Sequence, residues 1–180
     1  MFTQSPQNLN NPSARAEKLA GQGQIAEAFH LLEKATAAGD GLAALTLADW
    51  RMAGAVIRRD LGEARRLYGL AAKCGVAEAA PLHVAMLANG AGGSGRRWAE
   101  ALALLAAGDV GQRRQSALIA AMAIDAEGDP LAVPEREVLH NSPRIERLPR
   151  FISVDECRYL IDIAQPRLAP AVVVDPRTGQ

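Results

Sequence analysis

Glu27-Ala28-Phe29-His30-Leu31-Leu32 and Glu63-Ala64-Arg65-Arg66-Leu67-Tyr68 are two copies of one pattern, 36 residues apart. The same offset carries Ala35 to Ala71, Gly39 to Gly75, Ala43 to Ala79 and Ala44 to Ala80. Small residues fall on small residues and leucine on leucine. A fixed period in this range marks stacked helical units, each burying its apolar face on the next. The stretch from Ala28 to Ala80 therefore decides the fold class. The chain reads as mainly α, an α-solenoid of stacked antiparallel helix pairs, with a short incomplete α/β tail.

Composition agrees with that reading. Hydrophobic residues are 49% of the 180, aromatics only 4%, and alanine fills much of the gap. Such a face suits close helix–helix packing more than a sandwich core. Lys+Arg and Asp+Glu are both 20, so the basic excess usual in nucleic-acid binders is missing. Cys74 and Cys157 form no CxxC and suggest neither a disulfide framework nor a zinc site. Met1 to Pro6 lacks the basic and apolar regions of a secretory signal. No apolar run of about 18 residues suggests a membrane span. The expected compartment is the cytoplasm, with no membrane or nucleic-acid partner.

Residues 1–11 are polar and expected to be disordered. Pro12-Ser13 opens a helix that Gly21-Gln22-Gly23 stops. The next runs from about Gln24 to Ala38 with Ile25, Ala28, Phe29, Leu32 and Ala35 on one stripe. Asp40 caps a helix to Ala53 in which Leu42, Leu45, Ala48 and Met52 are expected to face inward. Asp60 caps the next, with Ala64, Leu67, Tyr68 and Ala71 as its buried stripe. A third, less faithful unit has Ala79, Leu82, Ala85, Met86 and Asn89 on one face. The glycine-rich turn Gly90 to Gly95 follows, then a helix bearing Trp98, Ala101, Leu102 and Leu105. Gln112 to Asp125 is expected to be one more helix, with Leu118, Ala121 and Met122 inward. The repeat region is thus 12–127.

Gly128, Pro130, Pro134 and Pro143 then space out a linker over 128–143, with Glu135 to His140 as a helical turn or two. In 144–180, Arg144 to Leu148 suggests a strand. Ser153-Val154-Asp155-Glu156 is a capping box, and the helix it starts is expected to carry Cys157, Leu160, Ile161 and Ala164 inward. Ala171 to Val174 suggests a strand, and Asp175 to Gly179 a turn. Two strands and one helix do not close a sheet domain, so the chain reads as cut inside a second domain.

Two resemblances follow. Ala43-Ala44-Leu45, Trp50, Ala53-Gly54-Ala55-Val56, Asp60, Glu63-Ala64, Leu67-Tyr68, Ala71-Ala72, Gly75 and Ala79 resemble the Sel-one-like repeat, a relative of the tetratricopeptide repeat. The resemblance extends over Glu27 to Gly39 and, in part, Ala79 to Gly108. It implies antiparallel helix pairs stacked into a right-handed superhelix. Arg58-Arg59 and Gly90 to Gly95 depart from the pattern, both in loops. The tail, with Phe151-Ile152-Ser153-Val154-Asp155-Glu156-Cys157, Leu160-Ile161, Leu168-Ala169-Pro170, Val172-Val173-Val174-Asp175 and Thr178-Gly179, looks like the opening of a prolyl 4-hydroxylase-like dioxygenase domain. Ala171 stands where that family more often has serine. The resemblance implies Fe(II), 2-oxoglutarate and ascorbate for a full-length parent, with peptidyl proline as the usual target. The family's iron ligands and its 2-oxoglutarate-binding basic residue lie later in the domain, so no catalytic, cofactor-binding or metal residue is carried over to this chain.

The residues themselves supply no metal site. A facial triad needs two histidines and a carboxylate, and its usual first pair is His-x-Asp or His-x-Glu. His30, His83 and His140 have no carboxylate two residues on. Glu137-Val138-Leu139-His140 is a single Glu-x-x-His, where a di-iron helix bundle needs two and further glutamates. Gly90 to Gly95 lacks the Gly-Lys-Ser/Thr of a P-loop. Arg144, Arg147 and Arg150 are interrupted by Glu146 and lack aromatic platforms. Trp50, Tyr68 and Trp98 are the candidate partner-binding residues, as rings lining a peptide groove, although helical spacing beside alanines also reads as core. Two functions stay open. One is the amino-terminal portion of a prolyl 4-hydroxylase-like enzyme whose repeats bind protein or peptide. The other is an interaction scaffold without catalysis.

Overall fold

The computed structural model describes residues 11–132 and 134–169. Of residues 1–11, expected to be disordered, 1–10 lie outside the described residues, as do the strand at 171–174 and the turn after it, whereas Asn11 is described and caps the first helix. The chain forms two compact units, one comprising residues up to Ser116 together with Ile124–Asp129, the other Ala117–Ala123 and the chain from Pro130.

Apart from a single bridge at Ile124, the described residues form helices and turns in the first unit. Its elements are α1 (Pro12–Gly21), α2 (Ile25–Ala37), α3 (Gly41–Ala53), α4 (Leu61–Lys73), α5 (Ala79–Asn89) and α6 (Trp98–Ala107), followed by the start of α7 (Val110–Ala120). Short polar side chains start three of them. Asn11 accepts from the Ser13 N–H at 3.0 Å, Asp40 from Leu42 and Ala43, and Asp60 from Glu63, each satisfying donors that a helix start leaves orphaned. Consecutive helices from α1 to α6 pack on one another.

The 36-residue offset survives in three dimensions. Ala28 and Ala64 are fully buried, as are Ala43 and Ala79. Gly39 and Gly75 follow their helices with φ of +89° and +87°, the left-handed C-terminal cap that glycine adopts most cheaply. Ala43, Ala44 and Ala48 of α3 and Ala64, Gly69 and Ala71 of α4 are buried. Side chains this small let helix axes approach closely. Larger anchors such as Leu32 of α2 and Leu87 of α5 are also fully buried, each worth roughly 1.5–3 kcal/mol in transfer from water.

Several inward positions differ from the sequence expectation. Leu42 is 46% exposed and Leu82 40% exposed, and Ala85 is also exposed. Leu47, Val84 and Leu87 take the core instead. These helices are apolar around most of their circumference, so spacing does not choose a face; the neighbouring helix does. The helix expected over Gln112 to Asp125 runs from Val110 to Ala120 and buries no residue, so Ala121 and Met122 lie beyond it and are exposed. Asp109 and Gln112 set its start. The Asp109 carboxylate accepts from the Gln112 N–H at 2.8 Å and Gln112 Oε1 from the Asp109 N–H at 3.0 Å, a reciprocal cap. Beyond it, Asp125 accepts from the N–H groups of Glu127 and Asp129, a turn that competes with helix. Among the described residues from 13 to 127 no sheet forms; Ile124 is a single bridge position.

The second unit contains a hairpin, β1 (Glu137–Asn141) and β2 (Arg144–Arg147), and α8 (Val154–Ala164) with a 3-10 turn at Gln165–Arg167. β2 falls where a strand was expected. β1 replaces the expected helical turns. The eight residues between Pro134 and Pro143 are too few for a helix to hold without packing. The strands instead pair antiparallel, with Glu137 opposite Arg147 and their side chains joined at 2.5 Å. Ser153 and Glu156 form the expected capping box, with bonds of 3.2 and 2.8 Å. The inward stripe of α8 is not buried. Leu160 is 48% and Ile161 61% exposed, and no residue of α8 is buried.

Candidate functional site

The first unit carries two neighbouring depressions on one face. A cavity of about 430 Å³ is lined by Phe29 and Glu33 of α2, Leu47 and Arg51 of α3, and Glu63 and Arg66 of α4. A second of about 680 Å³ is lined by Arg66 and Lys73 of α4, His83 of α5, and Arg97, Glu100 and Leu104 around α6.

Charge on this face is largely paired. Arg66 donates twice to Glu63, at 2.8 and 2.7 Å. Those hydrogen bonds hold the Glu63 carboxyl below its usual range and raise the Arg66 guanidinium. Arg97 reaches Glu100 at 2.5 Å. Arg51 lies over the Phe29 ring, 5.5 Å from its centroid, a cation–π arrangement, and donates to the Arg58 carbonyl at 3.1 Å. His83 bridges α5 to α4. Its Nδ1 is 3.0 Å from the Arg65 carbonyl oxygen, and since a carbonyl only accepts, Nδ1 carries the proton. The ring lies flat on Gly69, where any Cβ would stand 2.7 Å from Cε1. Desolvation pushes the His83 pKa down against the upward pull of that hydrogen bond.

The three aromatic candidates part company. Trp50 and Tyr68 belong to one core cluster, 8% and 2% exposed. Burial, with a hydrogen bond from the Tyr68 hydroxyl to Asp49 at 2.8 Å, raises the phenol above its ordinary range. Trp98 is half-buried at the start of α6. Gly128 lies against its indole, and Arg96 grips Asp129 with two bonds of 2.9 and 2.8 Å. Sequence reasoning had no means to find either Tyr68–Asp49 or Arg96–Asp129, since the partners are 19 and 33 residues apart and belong to no motif.

The iron that the tail's resemblance implies does not fit the described residues. His30 is on α2 beside Glu33 at 3.3 Å, His83 is committed to Arg65, and His140 is in β1 with Nδ1 3.1 Å from the Pro143 carbonyl. Among the described residues no group of three or more histidine, cysteine or acidic side chains could hold a metal ion. Cys74 and Cys157 are both free. Among the same residues no helix is long and apolar enough to cross a membrane.

Comparison with known proteins finds one relationship. Over 44 residues, 24% of the chain, the sequence is 52% identical to prolyl 4-hydroxylase 1 of Arabidopsis thaliana. The chain spans 16% of that protein's length. No family model matches the chain, and no solved structure matches it.

Proposed function

We propose that this chain is the amino-terminal portion of a prolyl 4-hydroxylase-like dioxygenase dependent on 2-oxoglutarate and Fe(II). Its helical repeats, of the Sel-one-like kind, serve as a protein- or peptide-binding extension, and the catalytic core lies outside this chain. The observation that carries the reading is the 44-residue match at 52% identity. We place that match in the tail, around Phe151 to Ile161, where the resemblance to the opening of such a domain lies. The architecture of the second unit supports it. A hairpin with Val138, Leu139 and Ile145 about half exposed, and a capped helix with its apolar stripe uncovered, suit a layer of a larger sheet domain better than a finished fold.

Two measurements test this. The coding sequence beyond Gln180 is expected to hold a His-x-Asp, a distal histidine and then a lysine or arginine; a stop codon directly after Gln180 would leave only an interaction scaffold. For the chain itself, anaerobic calorimetry with Fe(II) is expected to give no one-to-one site, and turnover of 2-oxoglutarate to succinate to stay at background. A stoichiometric iron site abolished by substituting one histidine would overturn the assignment of catalysis to a missing core.

A further inference from the structure

The two depressions of the first unit are related by the repeat. Glu33, Thr36, Ala37 and Leu47 line the first, and the residues 36 further on, Gly69, Ala72, Lys73 and His83, line the second. Two of these exchanges belong together. Where α3 carries Leu47, 4% exposed, α5 carries His83, and where α2 carries Glu33, α4 carries Gly69. Glycine inside a helix weakens it, and an imidazole in place of a leucine puts a polar ring into an apolar layer. The glycine makes room for the ring, since a Cβ there would stand 2.7 Å from Cε1. The hydrogen bond to the Arg65 carbonyl accounts for Nδ1. It leaves Nε2 as the acceptor of the neutral ring, and among the described residues Nε2 has no hydrogen-bond partner.

The cavity around that acceptor, about 680 Å³, has the size of a small-molecule site, and Leu70, Val84 and Leu104 give it apolar walls. Its arginines are each held by a carboxylate, Arg66 by Glu63 at 2.7 Å and Arg97 by Glu100 at 2.5 Å, and Lys73 is exposed to water. No charge in the lining therefore calls for a charged occupant. We propose that this depression binds a small neutral molecule, apolar in body, through one N–H or O–H group donated to His83 Nε2. The inference does not depend on what the tail belongs to. It accounts for the departure from the repeat, because buried Leu47 shows that folding needs no imidazole at this place.

Indole and its N-methyl derivative, which lacks the N–H donor, are the probes, and saturation-transfer titration on the whole 180-residue chain measures both. In neutral buffer indole is expected to bind about fivefold more tightly, the worth of one hydrogen bond. Protonated imidazole donates at both nitrogens and accepts at neither. The charged groups around the ring are Arg65, Arg66 and Lys73 of α4 and Arg97 and Glu100 beside α6, and imidazole is the side chain whose charge ordinarily changes just below neutrality. The preference for indole is therefore expected to decline in acid in step with protonation of His83, followed by its Cε1–H resonance. His83→Leu, which restores the sister residue, is expected to make the two probes equal, and Leu104→Lys to weaken both. Thermal melts show whether each variant is folded; if His83→Leu is not, the pH dependence of the parent chain decides. Absence of binding, equal binding of the two probes, a preference that survives His83→Leu or ignores the protonation of His83, or indifference to Leu104→Lys would each overturn the inference.

Discussion

Helices α4 and α8 make an instructive pair. Both begin with a side-chain cap, Asp60 in one and Ser153 with Glu156 in the other. Both carry apolar residues at helical spacing. α4 buries Ala64, Leu67, Tyr68, Gly69 and Ala71; α8 buries none. Capping and periodicity start a helix and set its ends, but most helical stability in proteins comes from packing an apolar face on something. α4 has α3 on one side and α5 on the other. The difference between the two helices lies in their neighbours, which no local signal reports.

The sharpest way to break this comparison is to hollow the packed side. Leu32 is fully buried, and Leu32→Ala is expected to cost about 2–5 kcal/mol, as buried leucine truncations do. Urea unfolding measures it, and a loss below the resolution of the method would mean that the first unit's core is not the source of its stability. Filling the same core is the complementary probe. Ala71 is fully buried on α4, and Ala71→Leu is expected to cost about 1–3 kcal/mol through overpacking. An unchanged thermal midpoint would place Ala71 on the surface and break the register that aligns it with Ala35.

A smaller effect concerns the contact between α5 and α4. His83 is more easily deprotonated in the folded chain than in the unfolded one, chiefly through desolvation. As pH falls, the unfolded chain therefore takes the proton first. The contribution is intact above the ordinary histidine value of 6.5 and is lost as pH drops below it. Glu100 pulls the other way, while Arg65 and Lys73 reinforce the downward shift. Thermal melts of the parent are expected to decline more steeply below that pH than those of His83→Asn, which keeps a donor for the Arg65 carbonyl. Parallel declines would remove His83 from the account.

What the sequence made legible follows the same division. The repeat was plain because it depends on small residues recurring at one offset, and Ala28, Ala64, Ala43 and Ala79 are buried in register. The helix starts at Asp40, Asp60 and Ser153 were plain because a cap is chemistry within three residues. The inward faces of α3 and α5 were not, since Leu42 and Leu47, or Leu82 and Leu87, are equally apolar and only the adjacent helix distinguishes them. β1 was missed because its partner strand, not its own residues, makes it a strand. The two depressions were missed for a related reason. Their linings come from several helices each and form no motif, whereas the aromatic residues that stand out in an alanine-rich sequence are largely consumed by the core.

The smallest expected effect is on the unpacked side, and it is the most informative. Ile161 is 61% exposed on a helix that buries nothing, so Ile161→Ala in this chain removes little contact. A change within about 0.5 kcal/mol is expected, the ordinary range for surface substitutions. Alanine's better helix propensity offsets part of even that. Amide exchange supplies a second measure. Protection in α8 is expected to be weak beside that of α4, because opening an unpacked helix breaks few contacts. If a longer protein covers this stripe with the rest of a sheet domain, the same substitution there becomes a core truncation, and its cost rises toward the roughly 2–5 kcal/mol of a buried isoleucine cut to alanine. A large cost already in the 180-residue chain, together with strong protection of α8, would show that the stripe is covered here. It would then remove the contrast between the two helices and with it the structural support for a missing layer.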